Sequence, residues 1–263
     1  MIRKVHVMEE EWDVLIILDA CRYDMFEALN DIPGELEKVE SLNTGTWMWI
    51  QDNFKHPYPD LIYVSGNPMV SKFKLSKIGM ENYFKIVDAW DIGWDPEIKG
   101  VRPKAVTRIA IDVINKNPDK RVLVHYLQPH FPWLETGKEA NRGRGLLLEW
   151  TENKEKKHLH QMSTSERRRF TGIVWDYVKM GQLDVEKCRE GYVGNFQIVL
   201  EEVKKLLKNI PKNKKVIISA DHGECLGFEA EHGYVGHGPN LHQYRTLLEI
   251  PWFTVDMEAV HNE

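Results

Sequence analysis

Ile217-Ile218-Ser219-Ala220-Asp221-His222-Gly223-Glu224 is the stretch on which the reading of this chain turns. An apolar, β-branched run that ends in adjacent Asp and His reads as a buried strand. It hands two metal-competent side chains to a loop at its carboxyl end, where open α/β sheets hold their ligands. Gly236-His237-Gly238 follows, a histidine whose small neighbours let backbone approach a ligand closely.

The other end of the chain repeats the grammar. Asp13-Val14-Leu15-Ile16-Ile17-Leu18-Asp19 is an apolar run bounded by carboxylates, and Ala20-Cys21-Arg22-Tyr23-Asp24 leads into helically spaced Met25 to Leu29. Two such strands, side by side in a parallel sheet, aim Asp19, Asp221 and His222 at one cation. Between them, Pro103 to Asn115 opens with Pro at a first-turn position and has apolar residues at helical spacing, before a strand from Arg121. Leu61 to Val64 is a further short strand closed by Ser65-Gly66-Asn67-Pro68, and Cys188 to Leu207 is a long helical pattern feeding Val216-Ile217-Ile218. Such alternation predicts an α/β fold with a largely parallel sheet covered by helices on both faces.

A strand-Asp near the amino terminus, a Thr-containing turn, a mid-chain His130-Phe131-Pro132, then Ser219-Ala220-Asp221-His222-Gly223-Glu224 and Gly236-His237-Gly238 together resemble the sulfatase-like branch of the alkaline phosphatase superfamily. The resemblance runs from about Asp13 to about Phe253. It implies an alkaline-phosphatase-like three-layer sandwich, one catalytic domain over 1–263, in which Asp19, Asp221, His222 and a nucleophile hold a divalent metal. The nucleophile attacks a phosphorus or sulfur centre.

The formylglycine signature of true sulfatases, Cys or Ser followed by x-Pro-x-Arg, is absent: Cys21 is followed by Arg22 and Tyr23. A hydroxyl at a helix start is therefore sought in Ser41-Leu42-Asn43-Thr44-Gly45-Thr46, ahead of Trp47 to Phe54. Thr46 is the choice, with Thr44 and Ser41 as alternatives, because unpaired N–H groups at a helix start favour an incoming anion and metal coordination activates a hydroxyl. Three oxygens and one imidazole suit Mn²⁺ or Zn²⁺, with Mg²⁺ compatible and Ca²⁺ less well matched.

Two-metal relatives add a mid-chain Asp near a His. Here Gln128 and Pro129 stand where that carboxylate would help, so one metal site is expected rather than two, and His130 is read as a contact to phosphoryl or sulfuryl oxygens. His237 is read as a substrate contact or a proton donor to the leaving group. His232 and His242 rank lower, and His125 reads as a core or sheet-face residue. Arg22 either clamps an anionic oxygen or forms an ion pair with Asp24 or Glu27.

At 263 residues and 42% hydrophobic content, the chain can bury a substantial core. A formal charge of -5 gives no electrostatic case for nucleic acid. Three cysteines, Cys21, Cys188 and Cys225, form no CxxC pair, which fits a reducing compartment. The first eleven residues have no apolar signal core and no window spans a membrane, so a soluble, cytoplasmic protein is expected. Residues of about 135–181, rich in charge, read as a helical insertion leaving the sheet after His130 and covering the site.

The function expected is metal-dependent hydrolysis of a phosphate or sulfate ester through a covalent intermediate on Thr46, with the Thr tilting the reading toward phosphorus. A phosphotransferase or mutase shares every ligand to the metal, and a member that binds its anionic ligand without turnover is the third reading.

Overall fold

The structure, a computed structural model, describes residues 2–135, 174–179, 181 and 183–262. Its strands are β1 (Val14–Asp19), β2 (Gly34–Glu40), β3 (Leu61–Ser65), β4 (Lys85–Val87), β5 (Trp94–Asp95), β6 (Gly100–Val101), β7 (Arg121–Pro129), β8 (Val216–Ser219), β9 (Cys225–Leu226), β10 (Val235–Gly236) and β11 (Glu249–Val255). The helices are α1 (Tyr23–Leu29), α2 (Thr46–Asn53), α3 (Lys72–Ser76), α4 (Ala89–Ile92), α5 (Pro103–Lys116), α6 (Val174–Lys179), α7 (Val185–Leu207), α8 (Arg245–Leu248) and α9 (Met257–Asn262).

Seven strands form the central sheet in the order β2-β11-β8-β1-β7-β3-β4. β1 pairs in parallel with β7 and β8, and β3 in parallel with β7 and β4. β11 runs antiparallel to both β8 and β2. Every residue of β1 is buried, as expected of a central strand covered on both faces.

Alternation along β7 shows the two helical layers. Tyr126 places its hydroxyl 2.7 Å from Thr107 of α5, whereas the preceding His125 meets Tyr63 of β3 and stands edge-on to Trp49 of α2. Successive side chains of a strand point to opposite faces, so α5 and α2 cover opposite sides of the sheet. α7 packs beside α5 with Phe196, Val199, Leu200, Val203, Leu206 and Leu207 buried. The α/β sandwich read from the motifs is the observed fold.

Three strands of the sheet, β2, β4 and β11, have no counterpart among the expected elements. β2 is mostly exposed and reads as a polar surface segment, and β11 carries Pro251, which argues against an interior strand. β11 is nevertheless interior: Pro251 lies opposite Lys38, and its carbonyl accepts from the Ser219 hydroxyl at 2.7 Å.

The register between β1 and β7 slips just where function is expected. Leu18 pairs with Tyr126 but Asp19 pairs with Pro129, and the His130 amide then donates to the Asp19 carbonyl at 3.2 Å. The irregularity brings the His130 loop over the end of β1. The expected insertion lies outside the described residues except for its ends, of which Val174–Lys179 is helical.

Candidate active site

Strands β1 and β8 are neighbours, so Asp19 at the end of one lies beside Asp221 and His222 just beyond the other. Thr46 is the first residue of α2, preceded by Gly45 as the cap residue. Its hydroxyl donates to Asp221 Oδ2 at 2.6 Å and lies 3.3 Å from His222 Nε2. The structure thus brings Asp19, Thr46, Asp221 and His222 to one buried place.

Thr44 does not share that contact. Its hydroxyl donates to the Gly238 carbonyl at 2.6 Å, and that of Ser41 to the Asp221 backbone carbonyl at 2.5 Å. Both fix loops around the cluster.

His222 Nδ1 lies 2.8 Å from the Gly223 carbonyl, which can only accept, so Nδ1 carries a proton and Nε2 is the ring nitrogen turned toward Thr46. Asp221 Oδ1 accepts from the amides of Ala20 at 3.1 Å and His222 at 3.0 Å, which fixes the carboxylate plane.

His125, expected as a core or sheet-face residue, belongs to the same cluster. Its Nε2 lies 3.4 Å from Asp19 Oδ2 and 3.9 Å from Asp221 Oδ2, and Tyr63 holds Nδ1 at 2.7 Å. That Nε2 is buried and makes no hydrogen bond among the described residues. Asn67, read only as part of a turn, donates its amide to Asp19 Oδ2. The available signal was a polar side chain inside an otherwise apolar strand, since buried polar groups have partners.

Two carboxylates share this buried site, and their pKa values are pushed in opposite directions. Burial, then the charge of Asp221, pushes Asp19 upward. Burial also opposes ionisation of Asp221, but His222, His125 and the Thr46 hydroxyl outweigh it and hold that carboxyl below its ordinary value. A pair of buried carboxylates and an orphaned imidazole nitrogen facing them is the donor set a divalent cation satisfies. The residues present fit the metal that the sequence implied.

A second group adjoins the first. Glu224, fully buried, receives His237 Nδ1 at 3.0 and 3.1 Å on its two oxygens. The His237 ring centre is 4.3 Å from that of His222 and 5.2 Å from that of His130. Burial works to lower the His237 pKa, but the Glu224 carboxylate dominates and raises it to about 9. His130, Glu224 and His237 all offer ligand atoms within 4.8 Å of one another. Glu224, a motif residue to which the sequence attached no role, thus sets a carboxylate beside His130 and His237. Proximity across the sheet supplied it.

Arg22 forms the ion pair that was its structural alternative. Its guanidinium bonds Asp24 at 2.8 and 2.7 Å, pairs with Glu231, and donates to the Glu224 carbonyl at 3.0 Å. Nearly all its donors are engaged in a buried network, so it fixes Glu224 and is not carried forward as an anion clamp.

No known protein-family profile matches the chain, and no curated protein matches it by sequence. Solved structures do match its fold. The soluble domain of lipooligosaccharide phosphoethanolamine transferase A from Neisseria meningitidis superposes with a TM-score of 0.52 at 15% identity, covering 98% of this chain and 78% of that one. The C-terminal periplasmic domain of EcEptC from Escherichia coli, in complex with Zn, gives 0.52 at 13% identity over 96% of this chain and 76% of that one. Against the integral membrane form of the Neisseria transferase the TM-score is 0.50 at 13% identity, with 98% of this chain covered. This chain spans only 52% of the length of that membrane protein. Among the described residues no helix is long and apolar enough to cross a membrane. The expectation of a cytoplasmic location draws no support from neighbours that include a periplasmic domain. The chain thus shares the α/β fold of these phosphoethanolamine transferase domains, the fold class expected from its sequence.

Proposed function

We propose that the chain is a metal-dependent enzyme of phosphate esters, with sulfate esters the lesser alternative, and that Thr46 is its nucleophile. One contact carries the reading: the Thr46 hydroxyl, at a helix start, donates to the buried Asp221 carboxylate at 2.6 Å. A side chain so placed is oriented and has a proton acceptor already bonded to it. Asp19, Thr46, Asp221 and His222 would hold the ion, Mn²⁺ or Zn²⁺ by donor type, with His125 beside them. When bound there, the ion lowers the hydroxyl's pKa and neutralises charge on the group being transferred.

The chain's own groups account for the proton and bond changes. Thr46 Oγ bonds to phosphorus as its proton passes to Asp221 Oδ2, and the ester P–O bond breaks. The departing oxygen takes a proton from His237, which Glu224 keeps protonated at neutral pH. His130 and the first-turn N–H groups of α2 face the phosphoryl oxygens. In the second half, water or another alcohol gives its proton to His237 and attacks the phosphorus, and Thr46 Oγ leaves and is reprotonated.

Water as the acceptor makes a hydrolase, and an alcohol makes a transferase. The second reading has its own support in the fold neighbours, which are named as phosphoethanolamine transferases. The test is nitrophenol release from a phosphomonoester, a phosphodiester and a sulfate ester by metal-stripped protein resupplied with Zn²⁺, Mn²⁺ or Mg²⁺. Parallel reactions contain an added amino alcohol. Metal-restored release establishes the enzyme, the preferred ester names the centre, and a phosphorylated alcohol among the products identifies a transferase. Silence with a shown bound metal sinks the hydrolase reading and leaves a transferase selective for its own donor or the ligand-binding member.

A further inference from the structure

Three active-site segments reach their places from different parts of the chain, and one helix touches all of them. Arg189, Tyr192 and Asn195 of α7 follow one another at intervals of three and so share a face. Arg189 donates from Nε to the Leu226 carbonyl at 2.8 Å and from Nη2 to the Gly227 carbonyl at 2.7 Å. These carbonyls lie just beyond Glu224. The Tyr192 hydroxyl donates to the Ala20 carbonyl at 2.8 Å and accepts from the Arg22 amide at 3.0 Å. That segment follows Asp19 directly.

Asn195 makes the most complete clamp. Its amide faces the carbonyls of Pro129 at 3.3 Å, His130 at 3.0 Å and Pro132 at 2.9 Å, while its oxygen accepts from the Leu134 amide at 2.9 Å. One side chain therefore satisfies much of the backbone of the loop that carries His130. The same helix has Gly191 where a Cβ would come within 2.6 to 2.9 Å of the Trp133 ring, so the glycine permits the close approach. Beneath, Phe131, Trp133, Trp175, Tyr192, Leu226 and Val235 form a small apolar cluster that seals the contact. The far half of α7 is anchored separately, with Phe196, Val199, Val203 and Leu207 in the main core.

We infer that the amino-terminal half of α7 is the jig of the site: Arg189, Tyr192 and Asn195 are positioning residues that fix the His130, Asp19 and Glu224 segments relative to one another. Backbone groups, not the reacting ones, are what they bond. The inference deepens the reading above and rests on it for its catalytic consequence, while its geometric part stands without any reaction. Displacement of a reacting group by about an ångström costs on the order of a hundredfold in rate, and loss of groups that orient metal ligands costs about 10- to 100-fold in affinity.

Asn195→Asp tests it, because the shape is kept while the two N–H donors are replaced by an oxygen facing three carbonyls. Val203→Ala, on the same helix but in the main core, is the control for simple destabilisation. In metal-free, histidine-labelled protein, Asn195→Asp should shift and broaden the His130 ring resonance and leave that of His261 unchanged. Val203→Ala should leave both in place. Tyr192→Phe, which loses only a hydroxyl, is the second variant should the first fail to fold; its Zn²⁺ affinity should fall about tenfold, with little change in Val203→Ala. In the loaded enzyme, kcat/KM should fall at least about tenfold in Asn195→Asp relative to the control. A wild type silent on every ester would condemn the hydrolase reading, yet the resonance measurement still decides this inference. An unmoved His130 resonance, or equal movement in Val203→Ala, overturns it.

Discussion

Thr44 and Thr46 stand two residues apart and do different work. Thr46 bonds Asp221, and Thr44 bonds the carbonyl of Gly238, next to His237. Thr46→Ala is expected to lose at least about 10³-fold in kcat with the metal still bound, the loss typical of a removed nucleophile. Thr44→Ala, which only loosens the loop beside His237, is expected to lose about tenfold or less; steady-state kinetics with the same ester separates the two. Asp24 gives a pH-dependent case. Burial opposes its ionisation, but the Arg22 guanidinium wins and holds the carboxyl below its ordinary value. The stabilisation is therefore full above the ordinary carboxylate range and is lost as pH falls through the lowered value. Asp24→Asn should melt below wild type at neutral pH and converge with it in acid, as thermal melts across pH would show. At this scale Asp19, Asp221 and His222 were legible because each ends an apolar run. His125 was not, because its partners come from β1, from β3 and from the segment just beyond β8, which only the folded sheet gathers around β7.

Elements were legible where pattern and burial agree. β1, β7 and β8 are apolar runs because both faces are covered, and α5 shows Val106, Ala110 and Ile114 on its buried side. β2 and β11 were hidden for opposite reasons, one too polar and one interrupted by Pro251, and their pairing with each other supplies what neither sequence signals. α7 carries two glycines with opposite surroundings. A Cβ at Gly194 meets nothing within 4 Å, whereas at Gly191 it would strike Trp133. Gly194→Ala should thus stabilise the protein by about 0.5–1 kcal/mol through helix propensity. Gly191→Ala should destabilise by about 1–3 kcal/mol through overpacking. Denaturant melts of the two variants give opposite signs if α7 lies against the His130 loop as described.

The whole molecule pairs an apolar sheet with a charged site at the carboxyl edge of its strands, and that charge is the lever for a global test of metal binding. A ligand that binds only the folded state at a hundred times its Kd adds about 2.7 kcal/mol, or about 5–10 °C in Tm for a chain of this size. Zn²⁺ or Mn²⁺ added to stripped protein should raise Tm by that order in calorimetry, and Asp221→Asn should abolish the rise. The fold was readable from the chain because it depends on local periodicity and on two strand ends. The two-cluster layout of the site was not, because Glu224 meets His237 and His130 only across loops that the sheet edge and α7 hold together. The most direct test of the central claim is to quench metal-loaded protein in acid during turnover of its preferred phosphate ester and map the modified peptide by mass spectrometry. The account predicts a phosphoryl group on Thr46, absent from Thr46→Ala. Turnover with the label on Thr44, Ser41 or no hydroxyl at all would contradict it.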